Sequence, residues 1–193
     1  METRIHYFDS PGNQNTEKVV ELAVKRAKDR KIDRIVVASG TGRTGVLIAE
    51  KAGKKGIQTV VVTGAYGFSN KGEWEMKKSN EEKLRRMEVP IVSATHALSG
   101  VERSMTKKLG GASRVEAVAE ALRSLFGQGM KVCVEISIMA ADAGKAPCDA
   151  DAEIVAVAGT DEGADTAVVI RPSNANTFFD LQIREIIAMP RTR

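Results

Sequence analysis

The stretch "IVVASGTGRTGVLIAEKAG", residues 35–53, holds both of the periods on which the fold turns. It opens on a β-branched run suited to a buried strand and closes on apolar residues at helical spacing. Between them lie Gly40, Gly42 and Gly45 and four residues that carry hydroxyl or guanidinium groups, Ser39, Thr41, Arg43 and Thr44. Residues 40–45 match G-x-G-x-x-G, and the match has meaning because it comes after an expected strand and opens an expected helix. Glycines let the backbone turn tightly and approach an anion, while free N–H groups and the positive end of the helix dipole point at it. Residues 39–45 therefore read as a seat for one terminal phosphate; a turn that serves only helix–strand packing is the alternative.

Two larger phosphate ligands are disfavoured by residues that the chain lacks. A dinucleotide site wants an acidic residue about 20 positions on, to hold the ribose hydroxyls, and the next strand, "IQTVVVTGAYG", ends in Thr63 and Gly64 without one. A Walker loop wants Gly-Lys-Ser/Thr, which is absent.

Outward from this turn, short runs rich in Val and Ile recur at 4–8, 34–38, 57–63, 89–94 and 131–139, with helical patterns between them, among them 16–31 and 44–54. That alternation predicts parallel strands with helices returning over them. Ser79 to Glu82, Ser99 to Glu102 and Ser113 to Glu116 each match S-x-x-E, the capping box that opens a helix; Ser99 keeps a functional reading open because of its position. The runs 153–159 and 166–172, joined by "TDEGAD", leave no room for a crossover helix and predict an antiparallel pair. Residues 178–190 fit either a helix or a strand of mixed face. The expectation is one α/β domain over 1–193, with a mostly parallel sheet and an antiparallel C-terminal extension.

Composition is that of a globular chain, with 42% apolar and 28% charged residues. Nothing approaches the ~18 consecutive apolar residues of a membrane span, and the N-terminus lacks a signal-peptide pattern, so a cytoplasmic protein without a membrane partner is expected. The net charge of +4 arises from Lys and Arg interleaved with acids, which points to solvated helix faces and to no nucleic-acid partner. Cys133 and Cys148 fit no disulfide framework and read as reduced thiols.

The segment "IVVASGTGRTGVLIAEKAGKKGIQTVVVTG" resembles the C-terminal domain of pyruvate kinase, in which a strand, an S-G-R-T-type turn and a helix form the pocket for a sugar phosphate effector. With "VEISIMAADAG" and "GTDEGADTAVVIRP", the whole chain is similar to small stand-alone proteins of the pyruvate kinase C-terminal-domain-like family. The resemblance implies a three-layer α/β/α fold and flavin mononucleotide (FMN) as occupant, its phosphate in the turn at 39–45. It does not imply pyruvate kinase activity, because the catalytic barrel has no counterpart in 193 residues.

In an open parallel sheet, ligands lie beyond the carboxyl ends of the strands. On that rule Asn13, Asn15 and Thr16, after the first strand, are candidates for the phosphate, with a helix cap as the alternative. Tyr66, Phe68 and Trp74, in "GAYGFSNKGEWEM", gather aromatic rings that can stack on a planar ligand or pack as a satellite cluster. Thr63, Gly64, His96 and Gly144 are expected around the ring, with His96 a candidate for hydrogen bonding or proton transfer. Glu135, expected in a buried strand, is a candidate to accept ligand hydroxyls, to act as a base, or to pair with a helix Lys or Arg. Asp142 and Gly144 read as turn residues with ligand access, and Gly159 and Thr160 as further donors; Asp142, Asp149 and Asp151 follow no ordered metal-ligand pattern, so no metal is expected. Two functions stand as expectations: a flavin-dependent oxidoreductase, or a regulatory module sensing a phosphorylated metabolite. An exposed C-terminal strand edge would favour a homo-oligomer.

Overall fold

The computed structural model describes residues 2–192. In chain order its elements are β1 (His6–Phe8), a 3-10 turn (Asn13–Asn15), α1 (Thr16–Asp29), β2 (Arg34–Ala38), α2 (Arg43–Gly53), β3 (Gln58–Thr63), α3 (Lys78–Arg86) and β4 (Ile91–Ser93). After these come α4 (Gly100–Leu109), α5 (Arg114–Phe126), α6 (Gln128–Asp142), β5 (Ile154–Ala158), β6 (Thr166–Arg171), a 3-10 stretch (Ala175–Asp180) and β7 (Gln182–Pro190). No helix of the described residues is long and apolar enough to cross a membrane.

The seven strands of the described residues form one sheet in the order β1-β7-β6-β5-β2-β3-β4. In it β6 runs against its neighbours, pairing antiparallel with β5 and β7, while the other pairings are parallel. Period-two alternation divides the strand residues between two cores. Ile35, Val37, Val61, Val155 and Val157 face α1 and α2, whereas Val36, Val60, Val62, Ala156 and Val168 face α6. The result is the expected three-layer α/β/α architecture, mostly parallel with an antiparallel pair near the C-terminus.

Three expectations need correction. The run at 131–139 is not a strand; it lies inside α6, which is covered by the sheet on one side and by α5 on the other. Met130, Cys133, Ile136 and Ala140 pack on the sheet, while Val134 and Ile138 meet Leu98 and Ala119. A helix buried on two sides is apolar nearly all round, and its β-branched residues then mimic an alternating strand. Of the three capping boxes, only Ser113 with Glu116 forms reciprocal bonds; Ser79 lies inside α3, which starts at Lys78, and Ser99 occupies the N-cap position without a side-chain bond. The C-terminal strand is no free edge either, because β1 pairs along β7 from His6–Ala188 to Phe8–Pro190.

β2 is the strand at which the chain changes direction across the sheet. From β2 the chain crosses one face through α2 to β3, and it enters β5, on the other side of β2, from α6 on the opposite face. The carboxyl ends of β2 and β5 therefore part into a crevice, the usual place for a ligand in such sheets.

Candidate functional site

The turn after β2 reaches this crevice as the sequence predicts. Gly42 holds φ 85° at the N-cap of α2, a left-handed conformation that suits glycine, and a Cβ there would overlap Met76 Sδ and Asn80 Cβ. Ser39 Oγ accepts the Gly45 N–H at 3.1 Å, which leaves its own O–H proton to donate. The N–H groups of Arg43 and Thr44, in the first turn of α2, have no acceptor among the described residues. Thr44 is only 5% exposed as a residue, but its hydroxyl, which has no partner among the described residues, is not sealed off, and the residue lines the cleft.

That cleft has a volume of about 750 Å³ and is bordered by Ser39, Gly40, Thr41, Arg43 and Thr44 on one side and by Thr16, Gly159 and Gly163 on the other. Its volume lies within the ~300–1,000 Å³ typical of small-molecule sites. Lys83 and Asn80 add polar reach from α3; Asn80 Nδ2 donates to the Thr41 carbonyl at 2.9 Å and fixes the turn.

A smaller chamber of about 230 Å³ adjoins it and shares Ser39, Gly40, Glu75 and Gln128 with it. Its walls include Thr63, Gly64, Phe68, His96, Arg103, Lys131 and Glu135. Lys131 and Glu135 pair at 2.6 Å, one helical turn apart on α6, and Glu135 Oε1 also accepts the Leu98 N–H at 2.9 Å. Of the three readings of Glu135, the structure shows the pairing with a helix lysine. Burial pulls the Lys131 ammonium below its ordinary value against the attraction of Glu135, and the Arg123 and Arg103 charges pull the same way. Burial likewise holds His96 low, with Glu135 opposing and Lys131 and Arg103 reinforcing.

The aromatic residues are spent on each other. Tyr66 stacks on Trp74 at 5.1 Å, away from the cleft, and Trp74 Nε1 donates to Thr63 Oγ1. Phe68 stacks on His96 at 4.4 Å with the Arg103 guanidinium 5.3 Å from its ring centre.

Other expected site residues serve the frame. Asn15 is buried and donates to the Ser10 carbonyl, and Thr16 Oγ1 accepts the Ala164 N–H. Thr160 donates its N–H to Asp165, a fully buried carboxylate that also accepts from the Gly12 N–H and the Thr166 hydroxyl. Asp142 and Gly144 are misplaced by the strand reading of 131–139: because this segment is a helix leading into β5, they lie at the amino end of the sheet. There Asp142 accepts from Asn174 and the Ala175 N–H, and Gly144 borders a separate groove with Arg34 and Gln58.

Lys131, Arg103, Arg123, Glu75 and Asp165 were not among the expected site residues. The Lys131–Glu135 spacing of four is a helix signal that a strand reading hides.

Among solved structures, the chain is similar to an SAH-bound methyltransferase of Podospora anserina, at 14% identity over 71% of this chain and 50% of that one with a TM-score of 0.33. It is also similar to an NH3-dependent NAD synthetase of Campylobacter jejuni, at 17% identity over 57% and 47% with a TM-score of 0.30. A third likeness is to an O-ureido-L-serine synthase, at 14% identity over 72% and 50% with a TM-score of 0.31. The chain spans about half the length of these solved proteins. The family described as "Pyruvate kinase, alpha/beta domain" matches residues 17–170, which include the turn at 39–45 and both halves of the β5–β6 hairpin, and the chain belongs to that family.

Proposed function

We propose that this protein binds a phosphate monoester, with the phosphate at residues 39–45 and the rest of the ligand lying across the carboxyl ends of β2, β3 and β5. The observation that carries this reading is the set of unengaged donors at the start of α2: the N–H groups of Arg43 and Thr44 and the Thr44 hydroxyl have no acceptor among the described residues and lie on the wall of a cleft of ligand size. N–H groups in the first turn of a helix have no intrahelical acceptor, and an anion's oxygens are the acceptors that these donors lack. Arg43 adds a permanent positive charge that forks onto phosphate oxygens.

FMN is the named candidate. The phosphate half of that expectation has the stronger support, since Tyr66 and Phe68 already have stacking partners and offer a planar ring less than the sequence suggests. The flavin-dependent oxidoreductase is tested by colour: addition of FMN should give a bound species with shifted flavin absorption. If it does not, while sugar phosphates or glycerol 3-phosphate bind in calorimetry, the ligand is another monoester. If no monoester binds and none raises the melting temperature, the reading fails.

A second reading, a regulatory module that senses a phosphorylated metabolite, is favoured by one feature. Among the described residues, no hydroxyl lining either cavity is hydrogen-bonded to a histidine that would activate it.

A further inference from the structure

We propose that Lys131 forms an imine with the carbonyl group of a phosphorylated aldehyde or ketone whose phosphate is held at residues 39–45. The inference rests on the phosphate-binding reading and narrows its ligand to a class.

Lys131 stands on the wall of the smaller chamber, with a side chain only 4% exposed. That chamber meets the phosphate cleft at Ser39 and Gly40, so a ligand anchored at the turn extends toward the amine. A buried ion pair seldom adds stability over apolar packing, and here it sits on a helix that is otherwise almost entirely apolar. Glu135 has a structural duty in accepting the Leu98 N–H; the amine opposite it has none beyond the pair. Lys131 is desolvated and feels Arg103 and Arg123, two conditions that make a lysine nucleophilic. The charged groups lining the chamber balance, with Lys131, Arg103 and Arg123 against Glu75, Glu135 and Asp161. A balanced chamber suits a neutral polar group such as a carbonyl better than a second phosphate.

The step needs no other reactant. Glu135 takes a proton from the Lys131 ammonium, and the freed Nζ lone pair attacks the carbonyl carbon. The new C–N bond forms as the carbonyl π pair moves to oxygen, and a proton passes from nitrogen to that oxygen, with His96 in the same chamber to carry it. The proton held by Glu135 then goes to the hydroxyl, which leaves as water with its bonding pair while nitrogen's lone pair closes the C=N bond. Ammonium and carbonyl give protonated imine and water, and the Glu135 carboxylate is restored.

The test is reductive trapping. The whole protein is incubated with glyceraldehyde 3-phosphate and sodium borohydride, and modified peptides are mapped by mass spectrometry. The expected result is the reduced adduct on Lys131, suppressed by excess glycerol 3-phosphate but not by glycerol, and lost in K131R, whose folding is checked by thermal melting. Adduct on exposed lysines alone, or adduct on Lys131 that glycerol 3-phosphate does not suppress, overturns the proposal. Calorimetry with glycerol 3-phosphate separates the two levels: binding without adduct on Lys131 sinks the imine and leaves the phosphate site standing, whereas no binding of either compound sinks both.

Discussion

Thr44 and Arg43 sit side by side at the start of α2 and differ in what they contribute. Thr44 is walled in, whereas Arg43 is exposed at the rim of the cleft. Replacement of Arg43 by Ala should weaken a phosphate monoester by roughly 1.5–3 kcal/mol, the range for a hydrogen bond to a charged group, with the melting temperature of the free protein unchanged; titration calorimetry reads the first and a thermal scan the second. Glu75 works in the opposite sense. Its Oε2 stands 3.0 Å from the position that a Cβ on Gly40 would take, so it presents a like charge to an arriving anion. Glu75→Gln should tighten binding, by up to about 1 kcal/mol for an exposed pair of charges, and a looser complex in the same titration would count against the placement of the phosphate. His96 gives a pH signature. Burial holds its native pKa low, so the unfolded chain binds more protons, and stability falls as pH drops below about 6.5, the ordinary histidine value. H96N should flatten that slope in denaturant titrations between neutral and mildly acidic pH. The turn at 39–45 was legible because its glycine spacing falls between a strand period and a helix period. Lys131 was not, because its meaning depends on which secondary structure carries it.

Among the elements, α6 and β7 show where sequence patterns mislead. Val132, Val134, Ile136 and Ile138 alternate as a strand would, but the helix is sandwiched, so the apolar stripe that normally marks a helix has widened until little more than the Lys131–Glu135 pair interrupts it. β7 hid its identity by carrying Glu185 among apolar neighbours; that carboxylate is met by Arg26 and Arg30 from α1 and its C-cap, partners that no local pattern reveals. α6 also approaches β6 closely. A Cβ on Gly129 would stand 2.6 Å from Asp165 Oδ1 and 2.7 Å from Thr166 Cβ. Gly129→Ala should therefore destabilise the fold by about 1–3 kcal/mol, as overpacking does, despite alanine's better helix propensity. A gain in stability on urea unfolding would show that the helix has room to shift.

For the molecule as a whole, the alternation of runs gave the layer architecture and left the strand order open, since any right-handed set of crossovers satisfies the same pattern. Asp165 is the joint that the order creates: one carboxylate accepts from Gly12, Thr160 and Thr166, drawing together the loops after β1 and β5 and the start of β6. Asp165→Ala would leave those donors without their acceptor, at about 1–3 kcal/mol for a buried unmet group, and should lower both stability and ligand affinity, because these loops border the cleft. Stable wild-type-like melting of that variant would mean that water replaces the carboxylate without loss.

The seating of β7 between β6 and β1 has a consequence for biogenesis. Residues 6–8 are made before residues 182–190 and have no strand to pair with until that segment emerges. The outermost pairing thus joins an early-made segment to a late-made one, and such distant partners close slowly. In pulse-labelled refolding, amide protection at 6–8 should lag behind that of the β2–β3 pair, so the nascent chain spends its growth with an unpaired ribbon that only a strand made much later can cover.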